Sequence, residues 1–252
     1  MSRGLGDVYK RQAWTKYRRR RHAHTVSMRT HIASHQYAET VLEGQFRDEW
    51  EQLLGVLGTL DVPLRPTGPY TRTGRPKSPK RQSRMIGGLR ASALMPVDQA
   101  VMNTLIRDAL SDLGWSPEPY ILIDREGHPI DTRLRGDFEK SGVFVEVEFG
   151  NVASFYRDLF KFHIAGTTGA AHVGVIVVAT DALARLFDQG QARYEQAVSL
   201  LPYMRAGVQL PTAIVGLDVN DWTAVRKRYD EMQDLVESNG EACHSFDAVM
   251  GF

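Results

Sequence analysis

The chain has 252 residues, of which 42% are apolar and 24% charged, enough to bury the core of one large domain. No run approaches the ~18 consecutive apolar residues of a membrane helix. The single cysteine, Cys243, excludes an internal disulfide framework and any zinc site built mainly on thiolates. Those features point to a cytoplasmic protein without a membrane partner, and the net charge of +1 conceals a strong segregation of charge along the chain.

Residues 1–36 read as a basic, unstructured N-terminal segment. Its first residues, MSRGLGDVYKRQ, resemble a translated library adapter and carry no weight in the fold. Arg18, Arg19, Arg20 and Arg21 form a short basic run suited to a solvated arm or to phosphate contact. His22, His24, His31 and His35 lack metal-ligand spacing and are expected at the surface. A single domain is expected over 37–252. Within 38–57, Val41, Leu42, Phe46, Trp50, Leu53, Leu54 and Leu57 recur at helical spacing, with a break near Gly44. Residues 65–90 hold eight Lys or Arg and no Asp or Glu, and are punctuated by Pro66, Gly68, Pro69, Gly74, Pro76, Pro79, Gly87 and Gly88. That density argues against regular structure, and for either a linker or a basic loop ordered by a polyanion.

Pro96 suits the first turn of a helix running through Val101, Leu105, Ile106, Ala109 and Leu110 to a stop at Gly114. Strands are predicted over 120–123 and 142–149 with a turn at 125–128, then a helix over 152–165 and a buried strand over 173–179. Helices at 181–187 and 193–201, a strand at 212–217 and a closing helix at 221–236 complete the chain. Such interleaving predicts an α/β fold with a mixed central β-sheet flanked by helices.

Chemistry concentrates between 136 and 165. In a strand Val143, Val145, Val147 and Phe149 share one face, and Phe144, Glu146 and Glu148 the other, with the two carboxylates about 7 Å apart. Two acids on so apolar a strand repel one another and are costly to desolvate, so something positive should lie between or above them. Asp137 can return across a turn at Ser141 and Gly142 to add a third oxygen ligand. An Asp with two Glu suits Mg²⁺, and the plainer alternative is an edge strand with one wet face. Gly150 ends the strand, and Asn151 can cap a helix that carries Ser154, Tyr156, Arg157 and Lys161. A helix start beside carboxylates is where phosphates and base edges are met. Metal carboxylates with a basic surface point to phosphodiester hydrolysis.

Asp137, then Glu146-Val147-Glu148, Phe149-Gly150-Asn151 and the run FYRDLFKF over 155–162 resemble the BglII/BamHI/BstYI group of type II restriction endonucleases, within the PD-(D/E)xK nuclease superfamily. The resemblance runs from about residue 37 onward and is strongest over 136–165. It implies a restriction-endonuclease-like core and a homodimer around double-stranded DNA. It also implies Mg²⁺-assisted cleavage at a palindrome centred on GATC, and a cognate DNA methyltransferase in the same system. By position it makes Asp137 and Glu146 metal ligands. Glu148 becomes a ligand to metal or attacking water, at a place where the superfamily usually carries lysine. Asn151 and Arg157 become major-groove contacts, Asn suiting adenine and Arg guanine. Ser154 and Lys161 rank lower, as phosphate contacts or surface residues. Asn103 would orient a metal water or simply face solvent, and Arg205 would read an outer base. The competing readings are a repair or mobile-element nuclease of the same superfamily, and a DNA-binding protein whose carboxylates are relics. His163 reads as a satisfied, partly buried histidine, and the GTTG at 166–169 as a helix-to-strand turn, since no Walker lysine follows it.

Overall fold

The computed structural model describes residues 26–64, 85–86, 89–90, 96–122, 124, 126, 128–131, 133–187 and 190–237. Its centre is a mixed six-stranded sheet. In chain order the strands are β1 (Met28–His35), β4 (Ser116–Pro117), β5 (Phe138–Lys140), β6 (Val143–Val147), β7 (Val173–Ala179) and β8 (Thr212–Val219), arranged in space as β1-β8-β7-β6-β5-β4. The middle strands β6, β7 and β8 are parallel, while β1 on one side and β5 and β4 on the other are antiparallel. β7 is VGVIVVA with every residue buried, the unbroken apolar run of a parallel strand covered on both faces.

Alternation sorts the side chains into two cores. Val143, Val145, Val175, Val177, Val215 and Leu217 face a layer made by α1 (Ala38–Gln45), α2 (Arg47–Thr59), α3 (Gln99–Asp112) and α7 (Trp222–Glu237). Phe144, Ile176, Val178 and Ile214 face α4 (Val152–Thr168) and α6 (Tyr194–Leu200). Two glycines set how closely the second layer approaches. A Cβ at Gly174 would lie 2.5 Å from Phe162 ring carbons, and one at Gly216 2.5 Å from the Tyr194 ring. Only bare backbone lets α4 and α6 sit down on the sheet. The remaining elements are a two-residue ladder of β2 (Met85–Ile86) with β3 (Leu89–Arg90), the short α5 (Asp181–Ala184) and a 3₁₀ turn over Leu201–Ala206.

The mixed sheet with flanking helices matches the expected class, and several local expectations are corrected. Residues 28–35 belong to the sheet as edge strand β1 rather than to an unstructured arm, and His35 is buried with Nε2 2.9 Å from the Val208 carbonyl. Polar residues break the alternation of MRTHIASH, and its strand character comes from the partner β8. The strand expected over 120–123 is absent among the described residues. Tyr120 makes a single bridge with Arg135, and the short strand is Ser116–Pro117, upstream of Pro119. Helical residues α1 and α2 part at Phe46, two positions after Gly44. Pro96 precedes its helix, whose cap is Asp98 accepting from the Val101 N–H at 3.3 Å. The helix expected over 181–187 stops at Ala184. Residues 65–84 of the basic stretch lie outside the described residues, as do His22, His24 and Cys243, while β2 and β3 bring regular pairing to its far end. His163 carries a buried Nδ1 without a hydrogen-bond partner among the described residues, so it is not the satisfied histidine expected.

Candidate active site

β5 and β6 form a tight hairpin whose two turn residues, Ser141 (φ 54°) and Gly142 (φ 84°), both take left-handed backbone, as a type I′ turn requires. Glycine is needed at 142 for a second reason: a Cβ there would lie 2.5 Å from the His172 ring. Phe138 pairs with Val145, so one step farther from the turn Asp137 falls across from Glu146. Asp137 Oδ2 accepts from the Val147 N–H at 2.8 Å, which ties the aspartate to the neighbouring strand. Glu146 is 1% exposed, on the Phe144 face and under α4. The positive group that this face demands comes from that helix. Lys161 Nζ donates to Glu146 Oε2 and to Asp158 Oδ1, each at 2.9 Å, with both partners buried.

α4 begins where β6 ends. Asn151 caps it, with its Oδ1 accepting from the Ala153 N–H at 2.8 Å. β6 stops at Val147 rather than at Phe149; the Glu148 N–H still bonds the Val177 carbonyl, and its side chain folds forward to accept from the Gly150 N–H. Arg157 lies on the exposed side, with a nitrogen 4.0 Å from Glu148 Oε2 and 3.5 Å from Asp158 Oδ1.

Burial dominates the electrostatics. It pushes the Glu146 carboxyl from 4.5 up to about 8, with Asp137's charge raising it further and Lys161 pulling against both. Asp137 and Glu148 are likewise raised, first by burial; the Val147 and Gly150 backbone N–H groups oppose the rise in each case. Burial lowers the Lys161 ammonium, but Glu146 and Asp158 outweigh it and the net shift is upward.

The sequence identifies a family. The profile of the restriction endonuclease BglII/BglIII family matches residues 30–217, well over half of the chain. The chain belongs to the BglII/BglIII restriction endonuclease family. It is therefore a type II site-specific deoxyribonuclease. Among solved structures, the fold resembles restriction endonuclease BglII complexed with a DNA 16-mer, at 20% identity and TM-score 0.55, over 77% of this chain and 80% of that one. Free BglII matches at 22% identity and TM-score 0.44, over 77% and 82%. No curated protein sequence matches.

In this BglII-family chain the hairpin brings Asp137 and Glu146 together, α4 lays Lys161 against them, and Glu148, Asn151, Ser154 and Arg157 lie where the strand passes into that helix. Lys161 is corrected from a surface or phosphate-contacting residue to a buried ion-pair member, 6% exposed. Asn103 is exposed on α3, while Gln99, one turn earlier, has its Nε2 3.8 Å from the Cβ position of Gly150. Arg205 lies in the 3₁₀ turn before β8. Asp158, expected only as an ion-pair partner of Arg157, meets Arg157 at 3.5 Å and also holds Lys161 at 2.9 Å. The signal for the second contact was present, since Ser154, Asp158 and Lys161 follow i, i+4, i+7 spacing on one face of α4. Gln191 was missed: it bridges Asn151, lines a cavity of about 370 Å³ at the start of α4, and has a buried amide with no partner among the described residues.

Asp137 and Glu146 offer the donor chemistry of a hard divalent cation, while Glu148, turned to the Gly150 N–H, does not converge with them into a three-carboxylate cluster. Glu146 Oε1 is buried without a hydrogen-bond partner among the described residues and lies close against Gly136, where a Cβ would be 3.3 Å away. An orphaned carboxylate oxygen facing Asp137 is the donor chemistry Mg²⁺ takes. Among the described residues, the group of three whose possible ligand atoms all lie within 4.8 Å of one another is Asp124, Glu126 and His128, which is exposed, with the Asp124 carboxylate already engaged by the Glu126 and His128 N–H groups.

Proposed function

We propose that this endonuclease binds double-stranded DNA as a homodimer and hydrolyses a phosphodiester in each strand with Mg²⁺, at a short palindrome centred on GATC. The supporting observation is Glu146: a buried carboxylate opposite Asp137, with one oxygen held by Lys161 and the other unpartnered. Asp137 and Glu146 would hold the cation. When bound, Mg²⁺ supplies a Lewis acid for charge developing on the phosphoryl group and lowers the pKa of water in its shell. Glu148, on a side chain that Gly150 and Ser154 hold back, is the carboxylate able to orient that water and take its proton. Asn151 and Arg157 at the start of α4 would read adenine and guanine, with Gln191 beside Asn151 extending the reading edge into its cavity. Ser154 and the basic 65–90 stretch would meet phosphates, Arg205 an outer base, and Asn103 a metal water. A restriction enzyme of this kind implies a cognate methyltransferase in the same cytoplasm.

The deciding experiment is digestion of a plasmid of known sequence with Mg²⁺, mapping the ends, for the native chain and for Asp137→Ala and Glu146→Ala. Discrete GATC-centred ends from the native chain, and binding without cleavage from both variants, are expected. Full cleavage by either variant overturns the site assignment, and Mg²⁺-dependent nicking without sequence preference overturns the specificity.

A further inference from the structure

We infer that Lys161, anchored by Asp158, is the positioning residue of Glu146. By holding one carboxylate oxygen it leaves the other without a partner among the described residues, and in the metal-free chain it stands as the divalent cation's competitor for Glu146. This inference rests on the proposed metal site and adds to it residues 158 and 161.

Lysine is almost never fully buried unless it is paired, and here the pairing is twofold. Nζ lies 2.9 Å from Glu146 Oε2 and 2.9 Å from Asp158 Oδ1, with Lys161 6%, Glu146 1% and Asp158 1% exposed. An ion pair serving packing alone would be expected to satisfy the buried carboxylate fully, because a buried polar atom without a partner is costly. Glu146 Oε1 is left without a partner among the described residues instead, on the side of Gly136. The asymmetry is built: one oxygen is taken by the helix and the other is offered to the hairpin.

Asp158 completes the device. It shares Oδ1 between Lys161 and the more exposed Arg157, at 2.9 and 3.5 Å. Asp158 thus draws the ammonium away from full engagement with Glu146 and fixes its height above the sheet. With all groups ionised, the carboxylates Asp137, Glu146, Glu148 and Asp158 against the cations Lys161 and Arg157 leave a formal excess of two negative charges, the charge of one divalent ion.

The roles of the two residues predict opposite signs, which general destabilisation cannot mimic. Mn²⁺ alone is titrated calorimetrically into the DNA-free full chain and its variants, with folding checked by thermal melting. Lys161→Met removes the competing cation from beside Glu146, so Mn²⁺ affinity should rise about tenfold or more, while DNA cleavage falls because Glu146 is no longer held to one oxygen. Asp158→Asn leaves Lys161 with Glu146 as its only full partner, so Mn²⁺ affinity should fall by a similar factor. Lys161→Arg, which keeps the charge and reach, should restore both properties towards those of the native chain. Unchanged or weaker Mn²⁺ binding in a folded Lys161→Met chain overturns the inference, as do shifts of the same sign in Lys161→Met and Asp158→Asn. If Lys161→Met fails to fold, Asp158→Asn and Lys161→Arg decide alone: unchanged binding in Asp158→Asn, or a loss in Lys161→Arg, overturns it. Opposite Mn²⁺ shifts in a chain that cuts no GATC-containing DNA with Mg²⁺ would sustain this inference and sink the proposed reaction, so the two failures are separable.

Discussion

Glu146→Gln tests the electrostatics of the site without DNA. In the folded chain the Glu146 carboxyl titrates at about 8, against 4.5 when free of the fold, because burial disfavours its charged form and Asp137 adds to the effect. A carboxyl raised on folding contributes stability that is fully present below its unfolded pKa and is lost as pH rises through its folded pKa. The window therefore runs from about 4.5 to about 8. At about 1.4 kcal/mol per pKa unit, the shift corresponds to roughly 5 kcal/mol across that window. Glutamine is close in shape and never ionises, so it removes this dependence while Asp137 and Glu148 continue to titrate. Urea unfolding of both proteins in chelator, at several pH values from about 5 to about 9, gives the difference directly. It should shift by about 4 kcal/mol in favour of the glutamine variant between the ends of that range, the remainder falling below about pH 5. A difference constant with pH would show that Glu146 ionises like a solvated carboxyl and would refute the buried-pair account.

Asn151→Ala should cost about 1 kcal/mol of stability through the lost cap, and a further 1–3 kcal/mol of discrimination, by rough estimate, on GATC duplexes over single-base variants. Equal weakening on every duplex would leave Asn151 as a cap alone. Gly174→Ala pushes a Cβ to 2.5 Å from the Phe162 ring, and should destabilise the chain by about 1–3 kcal/mol in urea unfolding; native stability would mean that α4 can slide on the sheet. Gly150→Ala places a Cβ 2.6 Å from Glu148 Oε1, a movable atom, so cleavage should fall with little loss of stability, and unchanged cleavage would remove Glu148 from the reaction. Neutralising Arg72, Arg75 and Lys77 should weaken binding to all sequences alike and flatten its salt dependence, whereas an unchanged slope would make the 65–90 stretch a linker.

Local pattern was enough for much of this protein. The period of two in VFVEV places Glu146 on the Phe144 face, and Ser141-Gly142 announces the turn that returns Asp137 to it. Asn151 after Gly150 marks the helix start, and the unbroken apolar run of β7 marks a strand covered on both faces. Each of these is written within a few residues, because strand alternation, turn chemistry and capping act over one or two peptide units.

Other features exist only once distant segments meet. β1 becomes a strand through residues 212–219, its antiparallel partner, since MRTHIASH has no clean alternation of its own. The Glu148 backbone N–H still bonds the Val177 carbonyl of β7, but its side chain turns to the Gly150 N–H where the chain bends into α4. The cation that Glu146 requires arrives from 15 residues along the chain, carried by a helix whose approach depends on Gly174 opposite Phe162. Sequence alone states that two buried carboxylates need positive charge. Which charge reaches them is a matter of helix rotation and layer spacing, and those are settled by close packing across the sheet rather than by any local preference.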